Sequence, residues 1–358
     1  MSNQAIGYVD ILRKEFMDIL GASKISQFCY PGNRLSDGGL VRVNELIKSG
    51  ADICIIEPNI ESEWRGVLCN RDEALYVYSQ ILGAGIYTVC LLLAHQFTIR
   101  PELAEQYAIH REICDTLNIP TIEVNLENVH DLERHFRGIH PNRAGARVYA
   151  NRLIQQWKKL NLSRSALRRF FKTLQLPSSG IQVNSVKYQV DDAMKGLRLH
   201  GRFLNKSRED EIPNSLKVIQ HQTIGPFSPV LNVNFLFRKG DGWQQKKWQL
   251  SIWDRYCFSE RSAYIVLFDY PQIDCDEFII DYKISDIEPA YSTCVSKVHS
   301  WPRKNEWTLK SLGDLYVVSN MQISVKAVPD DVSLPNTAEA QMDCAHKLQD
   351  ECLPLLSS

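Results

Sequence analysis

Two hydrophobic periods divide this chain, and the change between them limits its fold more than any single residue does. From Gly7 to about Leu160, apolar residues recur every three or four positions and are interrupted by short, continuous apolar runs. From about Gly180 to Val328 they alternate with polar residues at every second position, with turn residues between the runs. The first texture is helix and strand taken in turn; the second is strand after strand. A length of 358 residues also suits two domains better than one. The expected organisation is an α/β domain over 1–160, a basic helical linker over 161–180, a strand domain over 181–328 and a polar tail over 329–358.

Within the first part, Tyr8, Ile11, Leu12, Phe16, Ile19 and Leu20 fall at helical spacing, and Gly21 follows as a stop. Lys24 to Tyr30 reads as a short strand ending at Pro31-Gly32-Asn33. Ser36 or Asp37 is expected to cap a helix over Leu40 to Lys48. Ile53 to Ile56 is a brief strand ending at Glu57-Pro58-Asn59. Further helices are expected over Asp72–Leu82, Glu102–Leu117 and Arg143–Leu160, the last capped by Asn142. Strands are expected over Ile86–Leu93 and Thr121–Val124. Strands so short and continuously apolar are covered on both faces, as in a doubly wound parallel sheet wrapped by helices. In such sheets chemistry sits at the carboxyl ends of the strands, where Gly32, Asn59, His95 and the His140 loop fall.

The second part begins after NLSRSALRRFFKTLQLPSSG, a basic stretch that fits a packed linker helix better than a membrane-surface or nucleic-acid helix. VLNVNFLFRKGDGWQQKKWQLSIWD reads as two strands joined around Lys239-Gly240-Asp241-Gly242. SAYIVLFDY and EFIIDYKISD continue the pattern, and a β-sandwich is the expected architecture. Trp243, Trp248, Trp253, Trp301 and Trp307 are either core residues, the commoner use, or a surface for stacking sugars.

Composition excludes several classes. The chain holds 41 Lys+Arg against 42 Asp+Glu, a net charge of −1, so nothing in it calls for nucleic acid. The longest apolar run, Ile86 to Ala94, falls short of the roughly 18 residues of a membrane span. MSNQAIGYVD lacks the basic start and apolar stretch of a secretory signal, so a cytoplasmic location is expected. The 10 cysteines contain no CxxC pair, and Cys54, Cys90 and Cys114 sit inside apolar elements. They read as buried, reduced thiols, with no metal site and no cofactor. No GxGxxG or GxxxxGK[ST] follows any strand, which weakens a nucleotide-binding reading.

The segment richest in chemistry is Gly138-Ile139-His140-Pro141-Asn142, followed by RAGARVYANRL. A histidine on a loop just before a capped helix can take a proton from a hydroxyl nucleophile and return it to a leaving group. An ordinary capping loop would look the same. Gly32 and Asn59, at two strand ends, can turn a backbone N–H and a side-chain amide toward one oxygen, the layout of an oxyanion hole.

Taken in order, strand-Gly, strand-Asn and a late His-Pro-Asn before the final helix resemble the SGNH/GDSL hydrolase superfamily over about residues 7 to 160. The resemblance implies a flavodoxin-like three-layer α/β sandwich and a serine esterase, lipase, carbohydrate deacetylase or acyltransferase that needs no metal. It makes Gly32 and Asn59 the oxyanion donors and His140 the general base. Two departures accompany it. Arg137 stands three residues before His140, where the family has an aspartate; Glu127, Asp131 or Glu133 are candidate substitutes, and a Ser-His dyad is another possibility. The family's nucleophilic serine ends a first central strand, whereas here six residues precede the first helix, too few for strand and turn. Ser2 holds roughly the nucleophile's place. The missing strand is expected from a segment upstream of Met1, from a partner chain, or not at all in a non-catalytic relative. His95, Glu61 and Trp64 are expected near the pocket. The leading expectation is an esterase or acyltransferase acting on an acyl group of a carbohydrate ester; the rival is a degenerate binding or assembly protein using the β-sandwich for glycan or protein contacts.

Overall fold

The computed structural model describes residues 8–20, 24–28, 35–58, 69–93, 101–124, 135–137, 140–160, 176–186, 196–204, 214–224, 230–240, 242–251, 262–270, 275–285 and 309–328. It is a mixed α/β protein with one parallel sheet and several antiparallel ones. The chain forms two compact units that divide between Ser179 and Gly180.

In the first unit, β1 (Ile53–Ile56), β2 (Tyr87–Leu93) and β3 (Thr121–Val124) form a parallel sheet in that order. Ile53–Ile56 lies beside Tyr87–Cys90, and Cys90–Leu93 beside Thr121–Val124. Every residue of β2 is buried, as a central strand with covered faces requires. Alternation along β2 divides its side chains between two layers. Tyr87, Val89, Leu91 and Leu93 join a core with Tyr8 and Leu12 of α1 (Tyr8–Leu20). Ala146, Tyr149, Ala150, Leu153 and Trp157 of the last helix, α5 (Arg143–Lys159), complete that core. The rings of Tyr8 and Tyr149 meet edge to face, with centroids 5.8 Å apart. Cys90, on the other face, meets Tyr78 of α3 (Arg71–Gly83), whose hydroxyl lies 3.3 Å from its sulfur.

The helices start and stop for local reasons. Asn70 caps α3 by accepting from the N–H groups of Asp72 and Glu73, at 3.0 and 3.1 Å. Helix α4 (Pro101–Leu117) ends on Asn118, whose φ of 53° closes the last turn. Arg71 ties α3 to Glu112 of α4 at 2.7 Å, and Arg111 binds Glu123 of β3 through two nitrogens.

Two local expectations are corrected. Lys24 to Phe28 forms no strand: Ser26 and Gln27 are exposed, and only Ile25 and Phe28, three apart, are half-buried. That spacing offers no face to a sheet. Ser36 and Asp37 do not cap α2 (Leu40–Lys48); they are buried in a π-helical turn over Leu35–Gly39 that runs straight into it. Gly39 precedes α2 in helical conformation, so no side chain is needed there.

Among the described residues of the second unit, every regular element is a strand. One antiparallel sheet has the order β10 (Gly242–Ser251), β9 (Val230–Lys239), β12 (Glu277–Ser285), β7 (Gly196–Phe203), β14 (Ile323–Val328). The other has β11 (Ser262–Tyr270), β8 (Leu216–Ile224), β13 (Leu309–Ser319), β6 (Gln182–Val186). Lys239 pairs with Gly242 across a two-residue turn, where Gly240 takes the positive φ of 60° that such hairpins require. On one face of the five-stranded sheet Phe235, Phe237, Phe278, Ile280 and Leu199 are buried. The rings of Phe235 and Phe237 stack 5.3 Å apart.

Candidate functional site

The best-defined part of the site is the turn that leads into α5. Phe136–Arg137 (β4) and His140–Pro141 (β5) pair as a short antiparallel ladder, with Arg137 opposite His140. Asn142 then holds the turn to the helix. Its side-chain oxygen accepts from the N–H groups of Ala144 and Gly145, at 2.9 and 3.1 Å. Its own N–H donates to the carbonyl of His135 at 2.9 Å, and its carbonyl accepts from Ala146 at 2.8 Å. The backbone on both sides of His140 is therefore tied down.

Gly145 explains a further piece of the motif. A β-carbon there would overlap the carbonyl oxygen of His135 and crowd Pro141. Glycine in the first turn of a helix costs stability relative to alanine, so its presence is a sequence signal of close approach. That signal stood in RAGARV and points to the His135 carbonyl, which the sequence reading did not single out.

The strands direct their carboxyl ends toward one edge, because all three are parallel. Beyond Ile56, Glu57 is half-buried and Pro58 buried, just before position 59. Beyond Leu93 the chain continues to position 95. The end of β2 is pinned by Tyr107 of α4, whose buried hydroxyl donates to the carbonyl of Leu93 at 2.6 Å. Nothing in the helical period of α4 distinguishes Tyr107 from its neighbours, so this anchor was invisible in the sequence.

Ser2, Gly32, Asn59, His95 and Asp131 lie outside the described residues, as do Glu61, Trp64, Glu127 and Glu133. His140 and Arg137 are described as backbone positions, paired with one another. Trp253, Trp301 and Trp307 also fall outside, while Trp243 is half-buried at the start of β10.

The described thiols are poor nucleophile candidates. Cys54, Cys69, Cys90, Cys114 and Cys275 are buried thiols. Burial pushes the Cys54 thiol up to about 12, so it stays protonated at neutral pH. A hydrogen bond with Cys114 raises Cys90, and the same bond lowers Cys114; neither sulfur's residue has any exposed surface. Beside them, burial lowers His110 to about 4, leaving a neutral imidazole 6.2 Å from the Tyr78 ring. These interior groups have no exposed surface to offer a substrate. Among the described residues, no helix is long and apolar enough to cross a membrane.

No family model matches the chain, and no curated protein matches it. Among solved structures it is similar to TesA, at 18% identity over 44% of this chain and 91% of that chain, with a TM-score of 0.37. It is also similar to a two-domain esterase (CEX) active on acetylated mannans, co-crystallised with mannopentaose. That likeness has 10% identity, covers 87% of this chain and 84% of that chain, and has a TM-score of 0.46.

Proposed function

We propose that the chain is a serine-type esterase or acyltransferase of the SGNH/GDSL kind, acting on an acyl ester of a carbohydrate. In this reading the first unit is a doubly wound three-layer domain and the second a β-sandwich that presents the larger part of the substrate. The observation that carries the reading is the doubly anchored turn at His140, fixed by Asn142 on one side and the His135–Gly145 approach on the other.

The chemistry runs on groups of this chain. A serine hydroxyl, assigned to Ser2, attacks the ester carbonyl carbon. His140 accepts the hydroxyl proton as the C–O bond forms, then returns it to the departing alkoxide as the ester bond breaks. The backbone N–H of Gly32 and the amide of Asn59 receive the charge on the carbonyl oxygen; one such donor contributes about 3 kcal/mol to barrier lowering. Water or a second sugar hydroxyl then takes the acyl group, which separates hydrolase from transferase. Asp131 is the acid assigned to orient His140, and Arg137, opposite His140 in the ladder, is a departure from the pattern of that superfamily.

The test is hydrolysis of p-nitrophenyl acetate by the purified full chain beside His140→Ala. A loss of about 10²- to 10⁴-fold is expected, the range of a positioned general base. Equal rates remove the enzymatic reading. Labelling by a fluorophosphonate with peptide mapping locates the nucleophile; a label on any residue other than Ser2 withdraws that assignment.

The rival reading, a non-catalytic binding or assembly protein on the same scaffold, draws on one observation: a guanidinium-bearing residue stands opposite His140 where an acid belongs. Absence of both turnover and labelling would favour it.

A further inference from the structure

The five-stranded sheet carries a row of chemistry on the side opposite its aromatic core. Pairing registers place Trp243 beside Arg238, Arg238 beside Glu277, Glu277 beside Arg202 and Arg202 beside Ser324, one residue from each strand. Glu277 is the centre of the row. Its side chain is only 7% exposed, and it binds Arg202 at 2.9 Å, Arg238 at 2.7 Å and the imidazole of His200. Burial alone would raise this carboxyl, but the hydrogen bonds from His200 and Arg202 hold it below its ordinary range.

One carboxylate cannot occupy all of these donors. Arg202 is 63% exposed and reaches Glu277 through Nε, and its two terminal nitrogens make no ion pair among the described residues. The Nε of Arg238 is buried and has no partner among the described residues. Lys326 pairs in register with His200, is exposed, and makes no ion pair among the described residues. Among the side chains described on this face, Arg198, Arg202, Arg238 and Lys326 stand with Glu277 and Asp281. Arg198 and Asp281 neutralise each other in a buried pair at 3.2 Å. At the far end the Arg238 guanidinium lies 5.8 Å from the centre of the half-buried Trp243 ring.

We propose that this row is a binding site for an acidic oligosaccharide, with Arg202 and Lys326 taking a carboxylate and Trp243 offering its ring to a sugar. The geometry favours that class on three grounds. A guanidinium with two terminal nitrogens to offer matches a carboxylate in a fork. The indole suits the apolar face of a pyranose. Trp243 and Arg202 stand three strand spacings apart, roughly 14 Å, which suits a short oligosaccharide rather than a single sugar. A phosphate chain suits the row less well, because the carboxylate of Glu277 lies in the middle of the path.

Isothermal titration of the full chain with trigalacturonate, with maltotriose and a short oligouridylate in parallel, tests the site. Trigalacturonate is expected to bind, more weakly as salt rises, while maltotriose gives no heat. Arg202→Gln and Lys326→Gln should each weaken binding about tenfold, the loss of one hydrogen bond to a charged group. Both side chains lie at exposed positions, so unchanged thermal unfolding serves as the folding control, and Trp243→Ala should weaken binding too. No trigalacturonate binding, wild-type affinity in both polar variants, or tighter binding of maltotriose or oligouridylate would overturn the proposal. Binding is measured without turnover, so an inactive enzyme and an empty sheet face give different results.

Discussion

Asn142 makes more of the candidate site than any other described residue. It caps α5 through its side chain and joins the α5 turn to His135 through its backbone. Asn142→Ala removes only the side-chain part. The expected cost is about 1 kcal/mol of stability, with a range of roughly 0.5 to 2, read as a lower urea midpoint at unchanged slope. If the turn positions His140 in the proposed esterase, kcat should fall by more than the fraction of protein unfolded can explain. A drop in activity that only follows unfolding would make Asn142 a cap and nothing more. Arg137 offers a second test at this scale. Arg137 and His140 are directly opposed on antiparallel strands, and a positive charge that reaches an imidazole disfavours its protonation. Arg137→Gln should therefore shift the basic limb's partner, the ascending limb of the kcat/KM pH profile, to higher pH. An unmoved profile would show that the Arg137 charge does not reach the base.

At the scale of elements, Gly201 shows how tightly the second unit is built. A β-carbon there would run into the ring of Phe278 on the neighbouring strand, itself fully buried and edge-on to Phe203 at 5.9 Å. Gly201→Ala is expected to destabilise by about 1 to 3 kcal/mol, because a packed aromatic core has no slack to move the ring into. Gly201→Ala paired with Phe278→Leu should recover part of that loss in a double-mutant cycle; strict additivity would show that the ring is not the obstacle. Such contacts were not legible in the sequence, since the period of GLRLHGRF marks a strand but not what faces its glycine. Much else was. The helices of the first unit, its three parallel strands and the Lys239–Gly242 hairpin all carry local signals: a 3.6 period, a continuous apolar run, or a glycine at a two-residue turn. Lys24 to Phe28 carried hydrophobes without a strand's alternation, and there the expectation of a strand failed. The Asn142 cap was legible for the same local reason, whereas Tyr107 on Leu93 and Arg202 on Glu277 depend on residues far apart in sequence. The register that creates the Trp243–Ser324 row needs the order of five strands, which no local period encodes.

Across the whole molecule, acid should unload the two units one after the other. His110, in the first unit, has no exposed surface, and burial lowers it from its ordinary 6.5 to about 4. Between those values the unfolded chain binds a proton that the folded imidazole refuses. Stability is thus full above about pH 6.5, declines as pH falls, and has lost about 3 kcal/mol by pH 4. Glu277, in the second unit, is held below its ordinary 4.5 by His200 and the arginines. Its folded carboxylate stays charged while the unfolded one protonates, so its contribution is present above pH 4.5 and is lost only below it. Scanning calorimetry from pH 7 downward should show the first unit's transition falling before the second unit's moves. His110→Leu should flatten the first decline and leave the second, and Glu277→Gln should do the reverse. A first transition whose pH slope is the same in the wild type and in His110→Leu would mean that some other group carries the early acid sensitivity, and that the buried imidazole is already compensated in the folded state.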